Sequence, residues 1–265
     1  MNRIEKHFAE RPDGAKSLIL FLTAGYPDLE STEKIIETIE ESGCDILELG
    51  VPFSDPVADG PTIQAASTEA LKTGTTLKKI LDLVEKIRKR SDMPILLFGA
   101  CNPFYHFGLE TLGQRASEAG VDGFLVPDVP LEEGADLEAM CARHGFSLIY
   151  LVAPTTPPER MRAYAERGSG FLYYVSMKGV TGSSIQIDPQ LRRQVGELKQ
   201  IAAPLPVAIG FGVKTPEHAR SVAEIADAVV VGSQLIRVVG EHADDREAML
   251  KAVGDFTRSL KQAIL

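Results

Sequence analysis

The sequence predicts an α/β fold, a single-domain (β/α)₈ TIM barrel with extra helices that spans residues 1–265. Eight short β-rich segments alternate with longer amphipathic segments, which is the order of elements in such a barrel. The eight segments are continuously apolar, as is typical of parallel strands covered on both faces. A length of 265 residues also fits eight strand–helix units in one domain.

The predicted strands are short apolar runs that recur along the whole chain. In chain order they are Leu18–Thr23, Ile46–Leu49, Ile95–Phe98, Gly123–Val126, Leu148–Val152, Phe171–Val175, Val207–Ile209 and Ala228–Val231.

The segments between these strands repeat apolar residues at helical spacing. Two of them have a clear start signal, because Thr215 and Asp188 each precede a proline and can cap a helix that begins there. The clearest helical segments are Thr32–Glu41, Leu77–Arg88, Leu109–Glu118, Glu133–His144 and Pro216–Ile225.

An open, doubly wound α/β sheet is the alternative fold. No GxGxxG motif follows the first predicted strand, which weakens the dinucleotide-binding form of that alternative. The chain also has no linker-like segment and no shift in composition, so one domain is the simplest organisation.

Composition and charge exclude several classes of function. The net charge of −9 argues against nucleic acid or an anionic membrane as partner, although solubility alone also explains it. Cys44, Cys101 and Cys141 form no CxxC pair, which indicates a reduced protein. The five histidines show no metal-binding spacing, so we expect no metal site. With no apolar signal core and no apolar run long enough to span a bilayer, we expect a cytoplasmic protein without membrane contact.

Two loops are longer and richer in glycine than the others. One runs from Gly50 to Pro61 after the second predicted strand, and the other from Ser176 to Pro189 after the sixth. Loops that follow barrel strands emerge at the C-terminal face, where barrel enzymes have their active sites. We therefore expect these two loops to act as lids.

Glu48 is the first candidate for chemistry, because it lies inside an apolar strand between Leu47 and Leu49. Desolvation should raise its pKa and suit it to proton transfer near neutral pH. A buried glutamate satisfied by a nearby donor is an equally good interpretation from position alone.

Asp55 and Asp59 follow Glu48 on the same loop. Each is followed by proline or glycine, so each alone is best explained as a turn residue. Together with Glu48 they place three carboxylates around one end of the predicted barrel.

Glycines after the last two strands indicate a phosphate site. Gly210-Phe211-Gly212 ends the seventh strand and Gly232-Ser233 ends the eighth, the two loops that often bind phosphate in barrels. Gly182-Ser183-Ser184 could add donors from the sixth. The alternative is that these glycines only turn the chain. Tyr173 and Phe211 could line an aromatic site, although a core position explains them at least as well.

Residues 47–64 resemble the signature of tryptophan synthase alpha subunits, over a long segment with few free positions. Further matching segments follow in the same order as in that family. They are residues 23–28, 126–130, 179–182 and 210–213.

The resemblance implies retro-aldol cleavage of indole-3-glycerol phosphate to indole and glyceraldehyde 3-phosphate, a lyase reaction of tryptophan biosynthesis. Glu48 would be the general acid/base, and Asp59 would bind the indole N–H and stabilise the cationic tautomer. The remaining substrate-binding residues implied by the resemblance are Phe21, Tyr173, Thr181, Gly182, Phe211, Gly212, Gly232 and Ser233.

The resemblance also implies a partner. The family works as an alpha2beta2 complex with a beta subunit that carries pyridoxal phosphate, whereas the alpha subunit carries no cofactor. Pro52 and Asp55 would face this partner. The chain departs from many relatives at residues 98–103, where it has small residues and they carry tyrosines. It departs from some relatives at Met177-Lys178 in the lid, where they have an arginine and a small residue.

Two rival functions remain. An isomerase or synthase of another sugar phosphate would share the phosphate site but would not need Asp59. A subunit that only activates a partner would not need Glu48.

Overall fold

The computed structural model describes residues 1–175, 187–210 and 212–265, and its centre is a closed barrel of eight parallel strands. Each strand pairs with the next along the chain, and β1 pairs with β8 to close the barrel. The strands are β1 Ser17–Thr23, β2 Ile46–Gly50, β3 Ile95–Phe98, β4 Gly123–Leu125, β5 Ser147–Val152, β6 Leu172–Val175, β7 Val207–Gly210 and β8 Ala228–Val231.

The predicted TIM barrel is confirmed, and the first and last residues of every predicted strand lie within one residue of those of the observed strand. That residues 1–265 form a single domain stays a prediction. The helices of the described residues are α1 Arg3–Glu10, α2 Leu29–Glu41, α3 Pro61–Lys72, α4 Leu77–Arg88, α5 Cys101–Phe107, α6 Leu109–Ala119, α7 Ala135–His144, α8 Pro158–Arg167, α9 Pro189–Ala202, α10 Pro216–Ala223, α11 Ser233–Glu241 and α12 Arg246–Ile264.

The five predicted helices are all present, with one correction. The segment Glu133–His144 is not one helix, because α7 begins at Ala135 and a short 3₁₀ turn occupies Leu131–Glu133. Gly134 separates the two and lacks a side chain to cap α7. The caps predicted at Asp188 and Thr215 are confirmed, since each side chain accepts a backbone N–H from the first turn of its helix.

The barrel interior is filled below its C-terminal end by an apolar layer. Alternate residues of each strand point inward, so Ile19, Ile46 and Leu96 meet at the centre, together with Phe171 directly before β6. Ile4 of α1 is fully buried against this layer and covers the N-terminal end. The chemistry of the barrel is therefore expected at the opposite end.

A buried ion pair ties α4 to the start of β4. Asp122, only 1% exposed, accepts hydrogen bonds from the Arg88 guanidinium at 2.6 Å and from the Ile95 N–H at 2.9 Å. Arg3 of α1 donates to the other carboxylate oxygen at 3.2 Å. One carboxylate thus joins α1, α4 and the barrel wall.

We expect Asp122→Ala to lower the free energy of unfolding by about 3–5 kcal/mol, because it leaves the buried Arg88 without its charge partner. Urea unfolding followed by circular dichroism would measure this loss. Asp92→Ala is the matched control, since Asp92 also pairs with Arg3 but is 96% exposed and should cost no more than about 1 kcal/mol. Equal losses in the two variants would contradict the expectation.

Within the described part of the chain, no helix combines the length and the apolar character needed to cross a membrane.

Candidate active site

A cavity of about 590 Å³ opens at the C-terminal ends of the strands. Its walls come from inward-facing residues one layer above the apolar interior, from the loop after β2 and from the start of α11. Seven of the predicted site residues meet around it, namely Phe21, Glu48, Asp59, Tyr173, Gly212, Gly232 and Ser233.

Glu48 lies in the wall of this cavity and is fully buried. On β2, Ile46 and Glu48 point into the barrel while Leu47 and Leu49 point toward the helices, so the carboxyl group stands directly above the apolar layer. Neither of its oxygens has a hydrogen-bond partner among the described residues. Burial raises the pKa of Glu48 to about 8, so near neutral pH the group can hold a proton and release it.

The alternative role for Glu48, a structural carboxylate held by a neighbouring donor, finds no support among the described residues. A buried polar group without a partner is costly, and such groups are concentrated where a ligand or a reaction uses them.

The pKa of Glu48 makes stability depend on pH. The folded protein keeps the proton up to about pH 8, whereas the unfolded chain releases it near the usual value of 4.5. The Glu48 contribution to the free energy of unfolding is therefore fully present below pH 4.5 and is lost progressively as the pH rises toward about 8.

We expect Glu48→Gln to remove this pH-dependent loss of stability, because the glutamine side chain does not ionise. The variant should gain on the wild type between pH 5 and 8 and then keep a constant advantage. Urea unfolding at four pH values would measure the difference. A difference that does not change with pH would contradict a raised pKa.

Asp59 lies on the loop between β2 and α3 and is partly buried. Two hydrogen bonds to its backbone hold the turn here: the Asp59 N–H donates to the Pro56 carbonyl, and the Gln64 side-chain amide donates to the Asp59 carbonyl. The carboxylate itself makes no hydrogen bond with the described residues, which leaves it free for a ligand. Burial raises the pKa of Asp59 to about 6, so it is mainly ionised at neutral pH.

The two residues predicted to face a partner differ in exposure. Asp55 is exposed at the tip of the same loop, and the neighbouring Val57 side chain is 85% exposed. Pro52 is buried, so it can shape the loop but presents no surface.

Aromatic residues form two walls of the cavity. The Phe21 and Phe98 rings meet edge to face with centroids 5.4 Å apart. Tyr173 points inward from β6, and a Cβ at Gly210 would lie only 2.0 Å from its hydroxyl oxygen. Glycine is therefore needed at position 210 to admit this ring. Burial and the nearby Glu48 raise the pKa of Tyr173 well above its usual value.

The glycines predicted to bind phosphate, Gly212 and Gly232, line the part of the cavity that follows β7 and β8. Gly212 adopts a positive φ of 58°, and α11 begins at Ser233 directly after Gly232. No side chain caps α11, so its first N–H groups face the cavity end without an intrahelical partner. A helix N-terminus of this kind attracts an anion.

Sequence reasoning missed two cations at this end, Lys214 and Arg237, both of which line the cavity. Arg237 follows Ser233 by one helical turn, so the two share one face of α11. That spacing was the available signal. Two positive charges beside free N–H groups match a phosphate better than glycines alone do.

Several predicted residues lie outside the described residues. They are Thr181, Gly182, Ser183, Ser184 and Phe211, together with the lid residues Met177 and Lys178. Among the residues that the structure does describe, no group of histidine, cysteine and carboxylate side chains could hold a metal ion.

Comparison with known proteins identifies the family. The family model for the tryptophan synthase alpha chain matches residues 8–265. A tryptophan synthase alpha chain from Citrifermentans bemidjiense is 45% identical, with 100% of this chain and 98% of the relative covered. The protein belongs to the tryptophan synthase alpha chain family.

Solved structures agree with this family assignment. A tryptophan synthase alpha chain from Legionella pneumophila superposes with a TM-score of 0.92 at 38% identity, covering 100% of this chain and 97% of that one. A tryptophan synthase structure from M. tuberculosis, in its aminoacrylate-bound form, gives 0.88 at 30% identity over 100% of both chains. As a member of this family, the chain is an enzyme subunit of tryptophan biosynthesis.

Proposed function

We propose that this chain cleaves indole-3-glycerol phosphate to indole and glyceraldehyde 3-phosphate by a retro-aldol reaction, as a carbon–carbon lyase. The observation that carries the proposal is the buried carboxyl group of Glu48, which has no partner among the described residues and a pKa of about 8, in one cavity with Asp59 and the uncapped N-terminus of α11. An acid, a fixed anion and a phosphate site are the three groups that this reaction needs.

Glu48 begins the reaction protonated. It donates its proton to C3 of the indole ring, and the resulting carboxylate accepts the proton of the glycerol hydroxyl as the carbon–carbon bond breaks. The hydroxyl carbon becomes the aldehyde of glyceraldehyde 3-phosphate, the electron pair of the broken bond restores the indole ring, and Glu48 ends protonated again.

Asp59 acts while the ring carries positive charge. Protonation of C3 makes the indole N–H strongly acidic, and an ionised carboxylate beside it stabilises that charge. Because the charge develops during the reaction, this contact favours the transition state over the bound substrate.

The phosphate group would bind at the opposite end of the cavity. Gly212, Gly232 and the first turn of α11 from Ser233 supply N–H groups, and Lys214 and Arg237 supply positive charge. Phe21 and Tyr173 would hold the aromatic ring between the two ends. Thr181, Gly182 and Phe211 keep the substrate-binding role that the family resemblance implies.

The proposed partner is a tryptophan synthase beta subunit in an alpha2beta2 complex in the cytoplasm, where indole would be passed on. The beta subunit would carry pyridoxal phosphate, and the alpha subunit would need no cofactor. The exposed Asp55 and Val57 support a contact through the β2 loop, with the buried Pro52 holding the loop in shape.

Release of indole from indole-3-glycerol phosphate by the purified chain tests the lyase reaction, with and without a beta subunit, and gel filtration of the mixture tests the complex. Turnover of another sugar phosphate in its place would favour an isomerase or synthase. Stimulation of the beta subunit without any indole release would favour an activator.

The pKa values of the two carboxyl groups predict a bell-shaped pH profile for kcat/KM. The reactive form has Asp59 ionised and Glu48 protonated, so activity should rise through about pH 6 and fall through about pH 8. Initial rates at low substrate concentration would measure the profile. Asp59→Asn should lose the acidic limb and keep the alkaline one, and an unchanged acidic limb in that variant would contradict the assignment.

A further inference from the structure

A second, smaller cavity opens from the main one beside the β2 loop. Its volume is about 270 Å³, and we call it the side pocket. The residues shared by the two cavities are Phe21, Ala58, Asp59, Ile63, Phe98 and Pro127. Glu48 and the residues of the phosphate end line the main cavity alone. The side pocket therefore lies beyond Asp59, on the side away from the phosphate end.

The proposed substrate orientation points one edge of the indole toward this pocket. With the phosphate at α11 and the N–H on Asp59, the six-membered ring extends past Asp59. Its outer edge, carbons 5 and 6, is the part of the ring furthest from C2 and C3. A group attached there would enter the side pocket.

The wall of the side pocket contains a buried hydroxyl group with no hydrogen-bond partner among the described residues. Thr23, only 1% exposed, follows Phe21 by two residues on the inward face of β1, and its oxygen makes no hydrogen bond with any described residue. A buried hydroxyl without a partner costs about 1–3 kcal/mol, so this oxygen is suited to a ligand that supplies one. Ser67, 3% exposed, adds a second hydroxyl from α3.

The side pocket also has enough volume for a substituent on the indole ring. Gly99 and Ala100, two of the smallest residues, form its wall after β3. A single water-sized group needs about 10–15 Å³, far less than the pocket offers.

We propose that the side pocket accepts a small hydrogen-bonding substituent, such as a hydroxyl, on carbon 5 or 6 of the indole ring. Thr23 is then a specificity-determining residue that binds the substituent, and Ala100 keeps the space open. The inference rests on the proposed lyase function and extends its substrate class to ring-hydroxylated indolylglycerol phosphates.

The test compares kcat/KM for three kinds of substrate: unsubstituted indole-3-glycerol phosphate, its hydroxy analogues and its methyl analogues, with each substituent tested at carbon 5 and at carbon 6. The wild type should use the better hydroxy analogue within about threefold of the unsubstituted substrate. Thr23→Val should lower kcat/KM for that analogue by about tenfold, the value of one hydrogen bond, and leave the other two substrates unchanged. Ala100→Leu should lower kcat/KM for the hydroxy and methyl analogues and leave kcat/KM for the unsubstituted substrate unchanged.

Thr23→Ser keeps the hydroxyl and should keep the preference, which separates hydrogen bonding from packing. The inference is overturned if the wild-type kcat/KM for both hydroxy analogues is more than about a hundredfold below that for the unsubstituted substrate. It is also overturned if Thr23→Val lowers kcat/KM equally for all three kinds of substrate. In both cases the unsubstituted substrate is still cleaved and the proposed lyase function stands. Absence of indole release from the unsubstituted substrate would instead overturn the lyase function itself.

Discussion

Glu48→Gln is expected to lower kcat for indole release by roughly 10²–10⁴-fold, the usual contribution of a general acid or base. The amide fills the same space in β2 but has no acidic proton to give to indole C3. Because the apolar layer below position 48 does not depend on the charge, the barrel should stay folded. Steady-state indole release, with circular dichroism as the check on folding, would measure the effect.

Glu41→Gln is the matched control for this experiment. Glu41 lies at the exposed end of α2, so Glu41→Gln makes the same chemical change away from the cavity. Its kcat should equal that of the wild type within experimental error. A Glu48→Gln variant that kept more than about a tenth of the wild-type kcat would exclude Glu48 as the acid/base.

Asp59→Asn is expected to lower kcat by roughly 10²–10³-fold while KM changes only a few-fold. The asparagine oxygen can still accept the indole N–H, so ground-state binding is largely kept. It cannot neutralise the charge that develops when C3 is protonated, so the loss falls on the transition state.

Asp13→Asn serves as the control for Asp59→Asn, because Asp13 is an exposed turn residue before β1. Its kinetics should match those of the wild type. An effect of Asp59→Asn confined to KM would show that Asp59 only binds substrate, and the two-carboxylate mechanism would then be wrong.

The barrel could be predicted from the sequence because its strands are buried on both faces. Runs such as Leu18–Thr23 and Ala228–Val231 are almost entirely apolar, and they show neither helical spacing nor alternation of apolar and polar residues. Helix starts were harder where the signal is weak. The segment before Ala135 has proline, glutamate and glycine, which form a 3₁₀ turn as readily as a first helical turn.

The candidate site was only partly predictable. Glu48 stands out because a charge inside an apolar strand is rare. Lys214 and Arg237 do not stand out, since a surface lysine and a helical arginine are ordinary in sequence and become informative only beside the cavity. Thr23 was hidden for the same reason, because a threonine at a strand end is common and only the folded structure shows that its hydroxyl has no partner among the described residues.

The layered interior of the barrel separates the residues that stabilise the fold from the residue that serves the reaction. Ile46 and its neighbours are held by contacts with one another and with Ile4, whereas the Glu48 carboxyl group above them has no hydrogen-bond partner among the described residues. A substitution of Glu48 can therefore change the reaction with little damage to folding. A protein engineer could use position 48 to build a different catalyst on the same apolar layer.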